Sequence, residues 1–190
     1  FSGWRHADGY QGYHKLPEKI RVVGCWAHVR RKFDEALQTL PKEKQQGSLA
    51  AVGECYCTKL FQLEETLSEL TAEERYTKRL ELEKPVLDAL LAWAEDASVK
   101  TAPKSALGKA LHYLREQWPY LVRYLEDGRL ELSNNRAERS IKPFVMGRKN
   151  WLFSNTPAGA QSSAVIYSLI ETAKENDLDP YRYLVWLLHN

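Results

Sequence analysis

The sequence predicts a mostly helical α/β fold, and three observations carry that prediction. Short β-type runs occur near the start, at residues 4–7 (WRHA) and 20–23 (IRVV). After Gly24 apolar residues recur at helical spacing for most of the chain. At 190 residues and 44% hydrophobic content, the chain can bury one core, or one core with a large insertion. Residues 1–24 and 133–190 are expected to share one α/β unit, with residues 25–132 as an all-helical insertion.

The elements follow in order. Residues 4–7 predict a strand that ends at Asp8-Gly9, where glycine permits a tight turn and close approach. Leu16-Pro17 marks a break, and the β-branched run at 20–23, stopped by Gly24, predicts a buried strand. Trp26, Val29, Phe33 and Leu37 then line one helical face, ending before Pro41. The polar stretch 42–48 predicts a loop. Leu49, Val52, Leu60, Leu63, Leu67 and Leu70 predict a long helix. Thr71 and Glu74 form a T-x-x-E capping box that starts another. Pro85 breaks or kinks it, and residues 86–93 resume as a buried helix. Pro103 opens a helix to about Gln117, and a short helix ends near Gly128. Residues 129–132 and 151–153 are expected to be extended. Helices are expected from residues 133–135 onward, over about 157–174 ended by Asn176, and from the Asp179-Pro180 cap pair to about Leu188.

Net charge is only +2, so total charge announces no nucleic-acid partner. Its distribution says more. Residues 62–96 hold ten acidic and four basic side chains, net −6, whereas residues 129–150 hold six basic and two acidic, net +4. The basic stretch suits a polyanion, although a solvated face has the same composition. Three cysteines (Cys25, Cys55, Cys57) do not make a secreted disulfide framework and point to reduced thiols in the cytoplasm. No apolar run reaches about 18 residues, so no membrane span is expected, and no signal peptide is evident.

Two carboxylates stand out. Asp8 falls at a strand tip and Glu138 in the first turn of a helix, and a carboxylate from each can converge on a hard cation. Each has an ordinary alternative. Asp8-Gly9 is a common turn dipeptide, and Asn135 with Glu138 fits a capping box. Cys25 and His28 form a C-x-x-H pair at a helix start. A zinc site with Cys55 and Cys57 is disfavoured, because helix residues two apart do not face each other. Trp4, Tyr10 and Tyr13 flank Asp8 and can stack on bases or pack in a core.

The segments HADGYQGYHKL, VGCWAHVRRKFDEAL and LSNNRAERSIKPFVMGRKNWLFSNTPAGAQSSAVIYSLIETAKENDLDPYRYLVWLL occur in that order. Together they resemble the transposase of the insertion sequence 66 family, over nearly the whole chain and least in its helical middle. The resemblance implies a ribonuclease H-like core, here partial, with a DDE triad in which Asp8 is the second Asp and Glu138 the Glu. The first Asp is expected upstream of Phe1, so the chain alone is expected to lack strand-transfer activity. The cofactor implied is Mg²⁺ or Mn²⁺, held by Asp8 and Glu138. The reaction implied is hydrolysis of a phosphodiester at a transposon end, followed by in-line attack of the freed 3′-hydroxyl on target DNA. Arg136, Arg139, Lys142, Arg148 and Lys149 are the implied phosphate contacts, with Arg30, Arg31 and Lys32 as a second patch. Cys25 and His28 match an element that supports the active site or DNA rather than zinc. Transposon ends and target DNA, accessory proteins and a homo-oligomer on DNA are the implied partners, in the cytoplasm on the nucleoid. Two other readings stay open: a non-catalytic DNA-binding or assembly module, and a zinc-stabilised helical interaction domain.

Overall fold

A computed structural model describes residues 2–9, 12, 15–151 and 154–190, with backbone only at 148–151. Tyr10, Tyr13, Leu152 and Phe153, about which the sequence raised expectations, lie outside the described residues. The chain divides into two units, residues 1–134 and 135–190.

The first unit opens with a two-stranded parallel sheet. Strand β1 (Gly3–His6) pairs with β2 (Ile20–Val23), Gly3 opposite Ile20 and His6 opposite Val23. Parallel pairing needs a crossover of about a dozen residues or more, which residues 7–19 supply. Val22 and Val23 are buried. Trp4 lies under the Arg21 guanidinium, 4.3 Å from ring centroid to Cζ, and Arg21 also pairs with Glu126. Trp4 therefore has a cation against its face already.

Helices follow: α1 (Trp26–Gln38), α2 (Lys42–Gln45), α3 (Leu49–Thr66), α4 (Ala72–Leu82), α5 (Lys84–Val99) and α6 (Ala106–Leu121), then a 3-10 turn, Val122–Glu126. The core forms where α1 packs on α3 and α6. Trp26, Val29 and Phe33 of α1 are fully buried, and Gly53 lets α3 approach so closely that a Cβ there would lie 2.5 Å from the Phe33 ring. Trp26 donates its indole N–H to the Leu121 carbonyl (3.1 Å) and meets Trp118 edge-on.

Local signals held where both partners were close in sequence. The Thr71–Glu74 capping box forms in both directions. Pro85 sits in the first turn of α5, where its missing N–H costs nothing. Three expectations in this unit need correction. The stretch 42–48 contains a helical turn, α2, started by Pro41, whose carbonyl accepts from Lys44 N–H (2.9 Å). Helix α6 starts after Ser105, whose hydroxyl accepts from Gly108 N–H (3.0 Å), so serine caps it and Pro103 lies outside. Residues 129–132 form no strand, because their carbonyls are taken elsewhere. Leu130 C=O accepts from Arg79, and Leu132 C=O accepts from Trp26 N–H (3.1 Å).

Arg79 is fully buried and uses all five of its N–H donors. Nε and Nη2 grip Glu64 of α3 (2.6 and 2.8 Å). The other three reach the carbonyls of Tyr124 (3.0 Å), Asp127 (3.2 Å) and Leu130 (2.7 Å). Beside it, Tyr124 donates its hydroxyl to buried Glu83 (2.6 Å). Burial pushes the Glu83 carboxyl up from 4.5 to about 8, against the pull of the Tyr124 bond. A group whose native pKa is raised stabilises the fold fully below its unfolded pKa and loses that contribution as pH rises through the native one. Unfolding free energy is therefore expected to fall between about pH 4.5 and 8 through Glu83. Denaturant melts at stepped pH check this, and Glu83→Gln flattens the slope.

The second unit holds α7 (Asn135–Trp151), α8 (Pro157–Glu175) and α9 (Pro180–His189). Trp151 is thus helical, not extended. Thr156 caps α8 through Gly159 N–H (3.0 Å), and Asp179 caps α9 through Arg182 N–H (2.8 Å). Phe144 of α7 meets Tyr167 of α8 edge-on at 5.1 Å, and α8 buries Ala173 completely. Among the described residues, no helix is long and apolar enough to cross a membrane.

Candidate active site

Asp8 is placed by its neighbours. Ala7 is buried and extends the sheet through its N–H to the Val23 carbonyl (2.9 Å). The next residue, Asp8, is exposed at the strand's C-terminal end. Gly9 turns the chain in a left-handed conformation (φ +83°). Tyr113 of α6 donates its hydroxyl to the Asp8 carbonyl (3.0 Å). Burial, with the negative charges of Cys25 and Asp8 nearby, pushes the Tyr113 phenol up to about 12. It is therefore a dependable donor at neutral pH.

A Cβ on Gly9 would lie 2.8 Å from the Tyr113 hydroxyl and 3.1 Å from Gln117. Gly9→Ala combines that contact with a left-handed backbone, and its expected cost is about 1–3 kcal/mol. Chemical denaturation measures it. A neutral Gly9→Ala would contradict this turn.

Cys25 occupies the N-cap position of α1 and is 1% exposed. Its sulfur accepts the Asn134 backbone N–H at 3.2 Å. Burial raises the thiol pKa, but hydrogen bonds from the His28 side chain and from Asn134 outweigh it, so the net shift is downward. Cys57 shows the opposite case: burial and the Glu54 charge push it up to about 12. Cys57 is buried and Cys55 exposed, so α3 points the two thiols apart.

Glu138 belongs to the second unit. Helix α7 begins at Asn135 itself, so Glu138 is its fourth residue, one place beyond the capping-box position. Its side chain is exposed, as are those of Arg136, Arg139 and Lys142. Arg136 forms an ion pair with Glu175 of α8, which also accepts from the Ser140 hydroxyl (3.1 Å). These two bonds hold the Glu175 carboxyl below its usual range. The side chains of Arg148 and Lys149 lie outside the description. In the first unit, Arg30 pairs with Glu54 (3.1 Å), Lys32 with Glu35 (3.4 Å), and Arg31 is exposed.

The +4 count over residues 129–150 therefore overstates the available charge. Arg129 is paired with Asp127 (2.6 Å) and Arg136 with Glu175, two acids outside that window. Tyr113 and the Asn134 amide escaped the sequence reading, because each acts on a residue more than a hundred positions away. Among the described residues, no three His, Cys, Asp or Glu side chains gather as a metal site. Asp8 and Glu138 are exposed residues with carboxylates, the donor type hard cations take, and each stands in a different unit.

A family model described as "Transposase IS66 family" matches residues 1–162. The chain belongs to the IS66 transposase family. A second model, "IS66 C-terminal element", matches residues 168–190, so the break between the two matched segments of this IS66 chain falls within α8. Three proteins of Sinorhizobium fredii (strain NBRC 101917 / NGR234) are similar. "Uncharacterized protein y4hP" is 31% identical over 99% of this chain and 36% of its own length. "Uncharacterized protein y4qI" is 32% identical over 97% and 35%, and "Uncharacterized protein y4jD" 32% over 99% and 37%. The chain thus spans about a third of the length of these relatives. No solved structure matches it.

Proposed function

We propose that this chain carries two of the three carboxylates of a DDE-type transposase, Asp8 and Glu138, and contacts DNA through the basic face of α7. The observation that carries the reading is the local setting of Asp8. An exposed carboxylate follows a buried alanine at the end of a parallel strand, in a turn pinned by Tyr113. Family membership supports a role in DNA transposition.

On this reading β1 and β2 are strands of a larger ribonuclease H-like sheet, and α1 to α6 are the helical insertion. The third carboxylate comes from outside this chain. Asp8 and Glu138 would hold Mg²⁺ or Mn²⁺ with it, since carboxylates suit hard cations that keep several waters. The chemistry such a metal would supply there is a lowered pKa for an attacking water and compensation of charge on the phosphodiester. Arg139 and Lys142, one and four residues beyond Glu138, lie within a turn of it and contact phosphates beside the reacting one. Arg136 shares its charge with Glu175, so it contributes less to DNA contact. Arg31, with Arg30 paired to Glu54, forms a weaker second patch. Cleavage is followed by in-line attack of the 3′-hydroxyl on target DNA, without a covalent protein–DNA intermediate.

The test is cleavage of the element's own terminal DNA by the full-length protein with Mg²⁺ or Mn²⁺. Glu138→Gln abolishes cleavage and leaves DNA binding. Cleavage that survives Glu138→Gln, or DNA binding with no EDTA-sensitive cleavage at all, would make the chain a binding or assembly module instead.

A further inference from the structure

The C-x-x-H pair has no task in the chemistry above, yet Cys25 is among the most buried polarisable groups of the first unit. Its sulfur accepts one specific donor, the backbone N–H of Asn134 (3.2 Å). One residue along α1, the Trp26 N–H donates to the Leu132 carbonyl (3.1 Å). The first turn of α1 thus grips residues 132–134 at two points. Asn134 is joined covalently to Asn135, the first residue of the helix that bears Glu138.

We propose that Cys25 is a positioning residue: its sulfur, oriented by His28, clamps the Asn134 amide and fixes the residue from which the Glu138 helix starts. Zinc has no part in this role. A sulfur acceptor at a helix N-terminus fits the task, because the unsatisfied N–H groups there favour negative charge. The catalytic consequence rests on the reading of Glu138 given above, while the clamp itself does not.

The experiment is residue-resolved amide exchange on the chain with Cys25→Ser, Cys25→Ala and Cys25→Val, together with cleavage by the full-length protein carrying the same changes. Serine keeps an acceptor, valine keeps apolar volume, and alanine keeps neither. The clamp predicts that alanine and valine speed exchange at Asn134 by about tenfold. Serine restores protection to within about threefold of wild type. Cleavage follows the same order, serine above valine. A packing role predicts the reverse order, with valine above serine. Unchanged exchange at Asn134 in alanine and valine, or serine as fast as alanine, overturns the clamp. If the wild type itself fails to cleave, the transposase reading fails while the exchange result still decides the clamp.

Discussion

If Asp8 and Glu138 hold the metal as proposed, Asp8→Asn and Glu138→Gln are each expected to reduce metal-dependent DNA cleavage on the order of a thousandfold or more, because each removes a charge from the metal's ligand set. Both changes keep side-chain size and replace a carboxylate oxygen with an amide nitrogen, which repels a cation. Both side chains are exposed and each change keeps one acceptor oxygen, so neither should move folding stability by more than about 1 kcal/mol. DNA affinity is expected to survive as well, since phosphates are held by cations rather than carboxylates. Arg139→Gln and Lys142→Gln in combination should do the opposite. They weaken binding and flatten its salt dependence by about 0.9 in log–log slope for each phosphate no longer neutralised. Cleavage rates and filter binding on the same variants separate the two effects.

Arg79→Met is expected to cost about 3–5 kcal/mol. Arg79 lies wholly inside and satisfies Glu64 and three backbone carbonyls at once. Removing it strands the Glu64 carboxylate, which is only 14% exposed, beside Glu83. It also frees the carbonyls of Tyr124, Asp127 and Leu130, which lead to the segment gripped by Cys25 and Trp26. At about 2–4 °C per kcal/mol the melting temperature should fall by roughly 6–20 °C. Glu64→Gln beside Arg79→Met should recover part of the loss, because it removes the stranded charge. Thermal melts of the single and double variants decide the point. An Arg79→Met protein that melts like wild type would contradict the network.

The sequence made legible those features whose partners are near in the chain. Thr71 and Glu74 are three residues apart, Asp179 and Arg182 likewise, and both caps form. The apolar period of Trp26, Val29 and Phe33 predicted the buried face of α1. The strand at 20–23 was readable from its β-branched run. Arg79 was not readable. In the linear count it was one of four cations in an acidic stretch, and only its partners, up to 51 residues distant, make it an anchor. Residues 129–132 look extended because they are short and apolar at intervals, yet their backbone bonds go to side chains and a helix start. The α2 turn and the Ser105 cap were missed because proline and polar residues suit both loops and helix starts. Within the candidate site, Asp8 and the left-handed turn at Gly9 were visible in the Asp-Gly pair. The Tyr113 hydroxyl that pins them was not, since 105 residues separate donor and acceptor.

The most direct test is anomalous scattering from Mn²⁺ in crystals of the full-length protein grown with DNA that carries the element's ends. Two carboxylates of one metal centre predict that a carboxylate oxygen of Asp8 and one of Glu138 each lie within about 2.5 Å of a manganese peak, on one ion or on two ions about 4 Å apart. A manganese site held by other residues, with either of these carboxylates turned away from the cleaved phosphate, would contradict it.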